Sequence, residues 1–109
     1  MIIAKIVIPK QYFEPITHAT VKTPYSAIAQ LEHTFIFAFG GFTRYETFGG
    51  FKDKEGNYIY DESFTYEIFK DEEQDSMAFN VSLMNIKANY ESILNQEEVF
   101  LRVFNVGLA

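Results

Sequence analysis

The sequence predicts a single α+β domain over residues 1–109, with elements in the order β-α-β-β-α-β. Three observations carry that expectation. Residues 2–8 are a nearly continuous β-branched apolar run, two stretches repeat apolar residues at helical spacing, and the segment after residue 57 alternates like a strand.

Taken in order, residues 2–8 form a central strand whose extension Pro9 limits. Residues 10–22, with Tyr12, Phe13, Pro15 and His18, read as an irregular connection, long enough to favour a functional loop. Thr23-Pro24 supplies an N-cap followed by proline at the first helical position. Ile28, Leu31, Phe35 and Phe39 mark the buried stripe, and Gly40-Gly41 the stop. Phe42 to Phe51 is a strand bulged at Gly49-Gly50, joined through the polar turn 52–57 to a strand over 58–69. A second helix is capped by Asp75 or Ser76, buries Phe79, Leu83, Ile86, Tyr90 and Ile93, and ends at Gln96-Glu97-Glu98. Residues 99–106 close the order as a last strand. That order predicts a ferredoxin-like βαββαβ fold: a four-stranded antiparallel sheet with two helices on one face.

Composition narrows the function classes. Hydrophobic residues make up 48% and charged residues 22%, so the chain should fold as a globular domain. Rings are the outlier: 12 Phe and 7 Tyr with no Trp, enough to fill a small core and still line a ligand or subunit surface. The net charge of −6, with no Lys/Arg cluster to offset it, argues against nucleic acid as a partner. Absence of cysteine excludes disulfides, thiolate metal sites and cysteine nucleophiles. The N-terminal apolar run is too short for a bilayer and lacks the features of a signal peptide, so the expected address is cytoplasmic, with no membrane partner.

One position breaks the pattern. Tyr58, Tyr60, Glu62, Phe64, Tyr66 and Ile68 share one strand face, so a carboxylate interrupts an aromatic and apolar row. Such a carboxylate is costly to desolvate and is a site candidate, although snorkelling or pairing with a Lys or Arg explains it equally well. Only one sheet face is covered by helices, and a charge is easier to place on the other. Glu62 is therefore expected on the open face, with its aromatic neighbours covered by another subunit of a homo-oligomer.

Standard chemistry is otherwise absent from the sequence. His18 and His33 lack a second ligand at metal spacing and sit in no triad, so neither a metal site nor a cofactor is expected. The glycine pairs match neither a dinucleotide fingerprint nor a phosphate loop. Arg44, Lys52 and Arg102 are candidate phosphate contacts, with solvated surface charge the favoured reading of each.

Two resemblances follow. Gly40-Gly41-Phe42-Thr43, Gly49-Gly50-Phe51, Gly56, Glu62-x-Phe64 and Tyr90…Gln96-Glu97-x-Val99 resemble a pattern in small bacterial proteins of a domain-of-unknown-function family, which carries no function with it. Gly49-Gly50-Phe51, Glu62-Ser63 and Gln96-Glu97-Glu98-Val99 also resemble, in order, the motifs of small phage-type S-adenosylmethionine lyases, including relatives that act on an adenylated form of that compound, SAM-AMP, a CRISPR signal. Those enzymes are ferredoxin-like trimers with active sites between subunits. Phe51 departs from their motif, standing where a tyrosine is expected; Tyr58 or Tyr60 then supplies the hydroxyl, or the site works without one.

The resemblance implies a cofactor-independent carbon–sulfur lyase with a sulfonium nucleotide as its small-molecule partner. The substrate's own carboxylate attacks its γ-carbon and expels methylthioadenosine, leaving homoserine lactone, so no metal or protein nucleophile is needed. It implies Glu62 and Tyr60 as catalytic residues, and Gly49, Gly50, Phe51, Tyr58, Ser63, Phe64, Gln96 and Glu97 as substrate-binding residues. In this assignment Glu62 orients the cationic end, rings stack on adenine, and backbone amides at Gly49-Gly50 receive the carboxylate. A homotrimer with a phage anti-defence or anti-CRISPR role is the corresponding expectation. The alternatives are a non-catalytic anti-defence protein that binds a partner through its aromatic face, or a module that only sequesters a nucleotide.

Overall fold

In the computed structural model, residues 2–70, 73, 75–95 and 99–105 are described. They form β1 (Ile2–Pro9), β2 (Gln11–Glu14), β3 (Ala19–Lys22), α1 (Tyr25–Phe39), β4 (Thr43–Lys52), β5 (Tyr58–Lys70), α2 (Ser76–Ile93) and β6 (Phe100–Asn105). The main sheet has the order β4-β5-β1-β6 with every neighbouring pair antiparallel, and β2 and β3 pair separately. This is the expected four-stranded sheet with two helices, elaborated by one hairpin.

That hairpin replaces the irregular connection expected over 10–22. Glu14 closes its turn: its carboxylate accepts from the amides of Ile16 and Thr17 at 3.0 and 2.6 Å and from the Thr17 hydroxyl at 2.7 Å, while His18 takes φ 54°. A carboxylate that ties down its own following backbone is a turn signal, here hidden inside an aromatic stretch. Tyr12 leans on the core, and the Asn95 side-chain amide donates to the Phe13 carbonyl at 3.3 Å, so the hairpin is held both to the core and to the residues that follow α2.

Helix boundaries follow local chemistry with two corrections. Gly40 stops α1 in the left-handed region at φ 83°, and Asp75 caps α2 by accepting from the amides of Met77 and Ala78. Thr23 does not cap α1. Pro24 occupies that position, and the Thr23 hydroxyl donates instead to the Pro9 carbonyl at 2.6 Å, locking the end of β1 to the hairpin's exit. At the end of α2, Leu94 rather than Ile93 turns into the core, because the helix ends at Ile93 and the chain swings inward; Ile93 stays partly exposed.

The core lies between the sheet and the helices. Ala4, Ile6 and Ile8 of β1 pair with Ile68, Tyr66 and Phe64 of β5, and this parity faces α1 and α2. Tyr66 packs on Phe35 and Phe42 at ring separations of 5.1 and 5.6 Å, and its hydroxyl donates to Glu32 at 2.7 Å. Burial of each such ring contributes about 1.5–3 kcal/mol. Burial, and then the Glu32 carboxylate, push the Tyr66 phenol well above its ordinary pKa, so it remains a proton donor.

The register overturns one expectation. Glu62 has the parity of Tyr66 and Ile68, so it lies on the helix side of the sheet and not on the open face. It avoids burial because β1 reaches only to the Pro9–Ser63 pair, and β5 continues past the helices paired with β4 alone. The expected bulge at Gly49-Gly50 is also absent: Gly49 pairs with Asp61 and Gly50 with Tyr60 in uninterrupted register.

Glu91 joins α2 to β6. Its carboxylate accepts from Lys87 at 2.6 Å and from the Val99 amide at 2.8 Å, and these two bonds, Lys87 foremost, hold its pKa below the usual value. A lowered folded-state pKa contributes stability above the unfolded carboxylate's pKa that is lost as pH falls through the folded value. Glu91→Gln is thus expected to lower the melting temperature at neutral pH, with the gap to the parent closing in acid below the carboxylate range; an equal gap at both pH values contradicts this.

Candidate functional site

Where β4 and β5 project past the helices, their helix-side residues form a short cleft. Phe48 and Tyr60, diagonal neighbours across the two strands, stack at 5.7 Å between centroids with planes 9° apart. Gly50 lies directly opposite Tyr60, and a Cβ there would stand 3.1 Å from the ring. Glycine therefore lets Tyr60 lie across the strand and reach Phe48. Gln11 from the hairpin, with Phe48, Tyr60 and Glu62 of the helix side and Asp61 of the opposite parity, lines an opening of about 340 Å³.

A polar wall continues from this cleft toward the core. The Lys10 ammonium lies 3.4 Å from Glu46 and 3.8 Å from Glu62, with the Phe64 ring 5.0 Å below it. The Lys10 amide donates to the Glu62 carbonyl at 3.0 Å, extending the β1–β5 ladder by one bond and fixing the lysine beside the glutamate. Arg44 approaches the Phe64 ring at 5.2 Å and donates to Glu32 at 2.7 Å, the same carboxylate oxygen that receives the Tyr66 hydroxyl. One continuous run of charge and rings thus leads from the buried Tyr66 to the exposed Tyr60. Among the described residues, no group of three His, Asp or Glu side chains is arranged to hold a metal ion.

The residues singled out from the sequence divide between two faces. Glu62, Tyr60, Tyr58, Phe64 and Gly50 share the helix side, whereas Gly49, Phe51 and Ser63 have the opposite parity. Phe51 therefore points to the face of the sheet opposite Glu62 and does not line the cleft. Gln96 and Glu97 fall outside the described residues. Lys10, Gln11, Glu46 and Phe48 were not foreseen. Hairpin register places Phe48 and Glu46: Lys52 still belongs to β4 and pairs with Tyr58, so the turn is the five residues 53–57. Phe48 then stands opposite Glu62 and Glu46 opposite Phe64, whereas the turn expected over 52–57 would have shifted both partners by one residue. Lys10 and Gln11 became neighbours only through the unexpected hairpin.

The open face keeps its own aromatic population. Tyr45, Phe51, Phe69, Phe100 and Phe104 are 42–55% exposed there, interspersed with Lys5, Glu67 and Arg102, and Lys5 pairs with Glu67 at 3.3 Å.

This architecture defines an α+β protein of the ferredoxin-like class with a ring-and-carboxylate cleft at one end of the sheet. Among solved structures, the chain is similar to a phage SAM lyase in complex with S-methyl-5'-thioadenosine, at TM-score 0.67 and 12% identity over 94% of this chain and 79% of that one. A phage SAM lyase in the apo state is similar at TM-score 0.66 and 12% identity, covering 94% and 78%. At this identity the likeness establishes the shared fold. No protein-family model and no curated protein matches the sequence.

Gly50→Ala is expected to push the Tyr60 ring off its strand and break the stack with Phe48, at a stability cost of about 1 kcal/mol or less. Loss of the mutual ring-current shifts of Phe48 and Tyr60 in proton NMR spectra checks this; unchanged shifts contradict it.

Proposed function

We propose that the protein is a metal-free carbon–sulfur lyase acting on S-adenosylmethionine or a nucleotide-linked derivative of it such as SAM-AMP. The observation that carries this reading is the stacked Phe48–Tyr60 pair beside Glu62 in an open cleft, on a fold shared with phage SAM lyases. Aromatic faces suit both an adenine ring and a sulfonium, each cation–π contact being worth roughly 0.5–2 kcal/mol. Glu62 supplies a charge to orient the cationic part of the substrate.

Reaction on this reading needs little from the protein. The substrate's carboxylate attacks its γ-carbon, the carbon–sulfur bond breaks, and its electron pair stays on sulfur to give neutral methylthioadenosine and homoserine lactone. No proton is gained or lost. Catalysis consists of holding the substrate folded so that carboxylate and γ-carbon meet, with water kept from the carboxylate. Tyr60 and Phe48 seat the nucleoside, and Tyr58 and Phe64 extend the aromatic floor on the same face.

The open-face rings support the expectation of a homo-oligomer, with a trimer favoured by the resemblance. No helix among the described residues is long and apolar enough to cross a membrane. Incubation with S-adenosylmethionine and its adenylated form, followed by chromatography, is expected to yield methylthioadenosine or its nucleotide-linked equivalent. Glu62→Gln should reduce kcat/KM by about 10–100-fold, corresponding to one lost charge-assisted contact. Absence of product from the parent protein overturns the lyase reading in favour of a binding module, and an unaffected Glu62→Gln removes the glutamate from the site.

A further inference from the structure

Lys10 has no place in the reading above, yet its ammonium stands at the edge of the cleft. Three contacts hold it there: Glu46 at 3.4 Å, Glu62 at 3.8 Å and the Phe64 ring at 5.0 Å. The contact with Glu62 is the longer of its two ion pairs. It can open while Lys10 keeps Glu46 and the ring, leaving an ammonium beside the carboxylate that lines the cleft. Glu62 is 68% exposed at its side chain and Lys10 26%, so the acid is accessible and the base is braced.

An α-amino acid head group has the matching charges, an ammonium and a carboxylate borne on one carbon. We propose that Lys10 and Glu62 together form a receptor for a zwitterionic α-amino acid head, Lys10 taking the ligand's carboxylate and Glu62 its ammonium. Their mutual pair is exchanged for two pairs with the ligand, so neither charge is left unpaired and the desolvation cost is shared. Lys10 keeps Glu46 and the Phe64 ring, so the ligand's remaining positive charge, on sulfur in a sulfonium, is left to the stacked Phe48 and Tyr60 rings beside Glu62.

Local charges agree with this arrangement. Glu46, Glu62 and Lys10 present two negative charges and one positive, and an amino acid carrying a sulfonium presents two positive and one negative. The assignment also moves the carboxylate contact away from the Gly49-Gly50 amides. Those glycines sit in regular strand register, and Gly49 has the parity of the open face. Lys10 is a binding residue in this account: it fixes the direction from which the carboxylate approaches the γ-carbon, and its backbone bond to the Glu62 carbonyl sets the spacing of the two charges.

This inference rests on the cleft being a sulfonium-nucleoside site, and its test uses ligands that separate the two claims. S-adenosylhomocysteine carries the amino acid head without a sulfonium, decarboxylated S-adenosylmethionine carries sulfonium and ammonium without a carboxylate, and methylthioadenosine carries no head. Calorimetric titration of the full chain is expected to show about a tenfold loss of S-adenosylhomocysteine affinity in Lys10→Met, equivalent to one charge-assisted contact. Lys10→Arg should retain most of that affinity. Methylthioadenosine should bind the parent and Lys10→Met alike, and decarboxylated S-adenosylmethionine, which has no carboxylate to lose a contact, at least as tightly in the variant. Methionine keeps an apolar stem over Phe64, and a thermal melt matching the parent's verifies that the variant is folded. The inference is overturned if Lys10→Met weakens all three ligands equally, tightens S-adenosylhomocysteine, or if the parent does not bind S-adenosylhomocysteine. Selective weakening without turnover of S-adenosylmethionine by the parent upholds the receptor and rejects the lyase. Turnover with S-adenosylhomocysteine affinity unchanged in Lys10→Met does the reverse.

Discussion

The unbroken register of β5 is the constraint on which the rest depends. Its thirteen residues, Tyr58–Lys70, run through two environments without a bulge, so one parity of side chains must serve both. At the Ile68–Tyr66 end that parity meets the helices and is fully buried; at the Tyr60–Tyr58 end it is about two-thirds exposed. Phe64 and Glu62 stand at the crossing. The change from core to cleft is made by length alone, since β1 stops at Pro9 while β4 accompanies β5 to Tyr58.

A two-stranded ribbon projecting from a sheet is weak unless something covers or braces it. Here the brace is local. The Tyr60 ring lies across Gly50 and stacks on Phe48, and Lys10 ties the hairpin junction to both strands through Glu46 and Glu62. The groups that brace the ribbon are also the groups proposed to hold ligand. Binding therefore exchanges internal contacts for external ones instead of filling a preformed hole, which fits a cleft lined by only a few residues of β2, β4 and β5.

Much of the fold was legible because periodicity changes sharply along the chain. The stripe Ile28, Leu31, Phe35, Phe39, the stop at Gly40 and the cap at Asp75 each follow from backbone chemistry within a few residues. The oddity of Glu62 was equally visible. Its face was not, because alternation says which residues share a side and pairing partners decide which side that is; only the Ile6–Tyr66 pairing under the helices resolves the choice. Lys10 and Gln11 were hidden for another reason. Their role depends on a hairpin closed by Glu14, whose turn signal is carried by side-chain bonds and no glycine. Phe51 illustrates the converse: motif order suggested a site residue, and strand parity removes it from the cleft.

The central claim is that ligand binds on the helix side of the β4–β5 ribbon. Amide and aromatic NMR shifts followed during titration with methylthioadenosine test it most directly. The account predicts perturbations concentrated at Gln11, Phe48, Tyr60 and Glu62. Perturbations confined to the opposite parity, at Tyr45, Phe51 and Ser63, would contradict it.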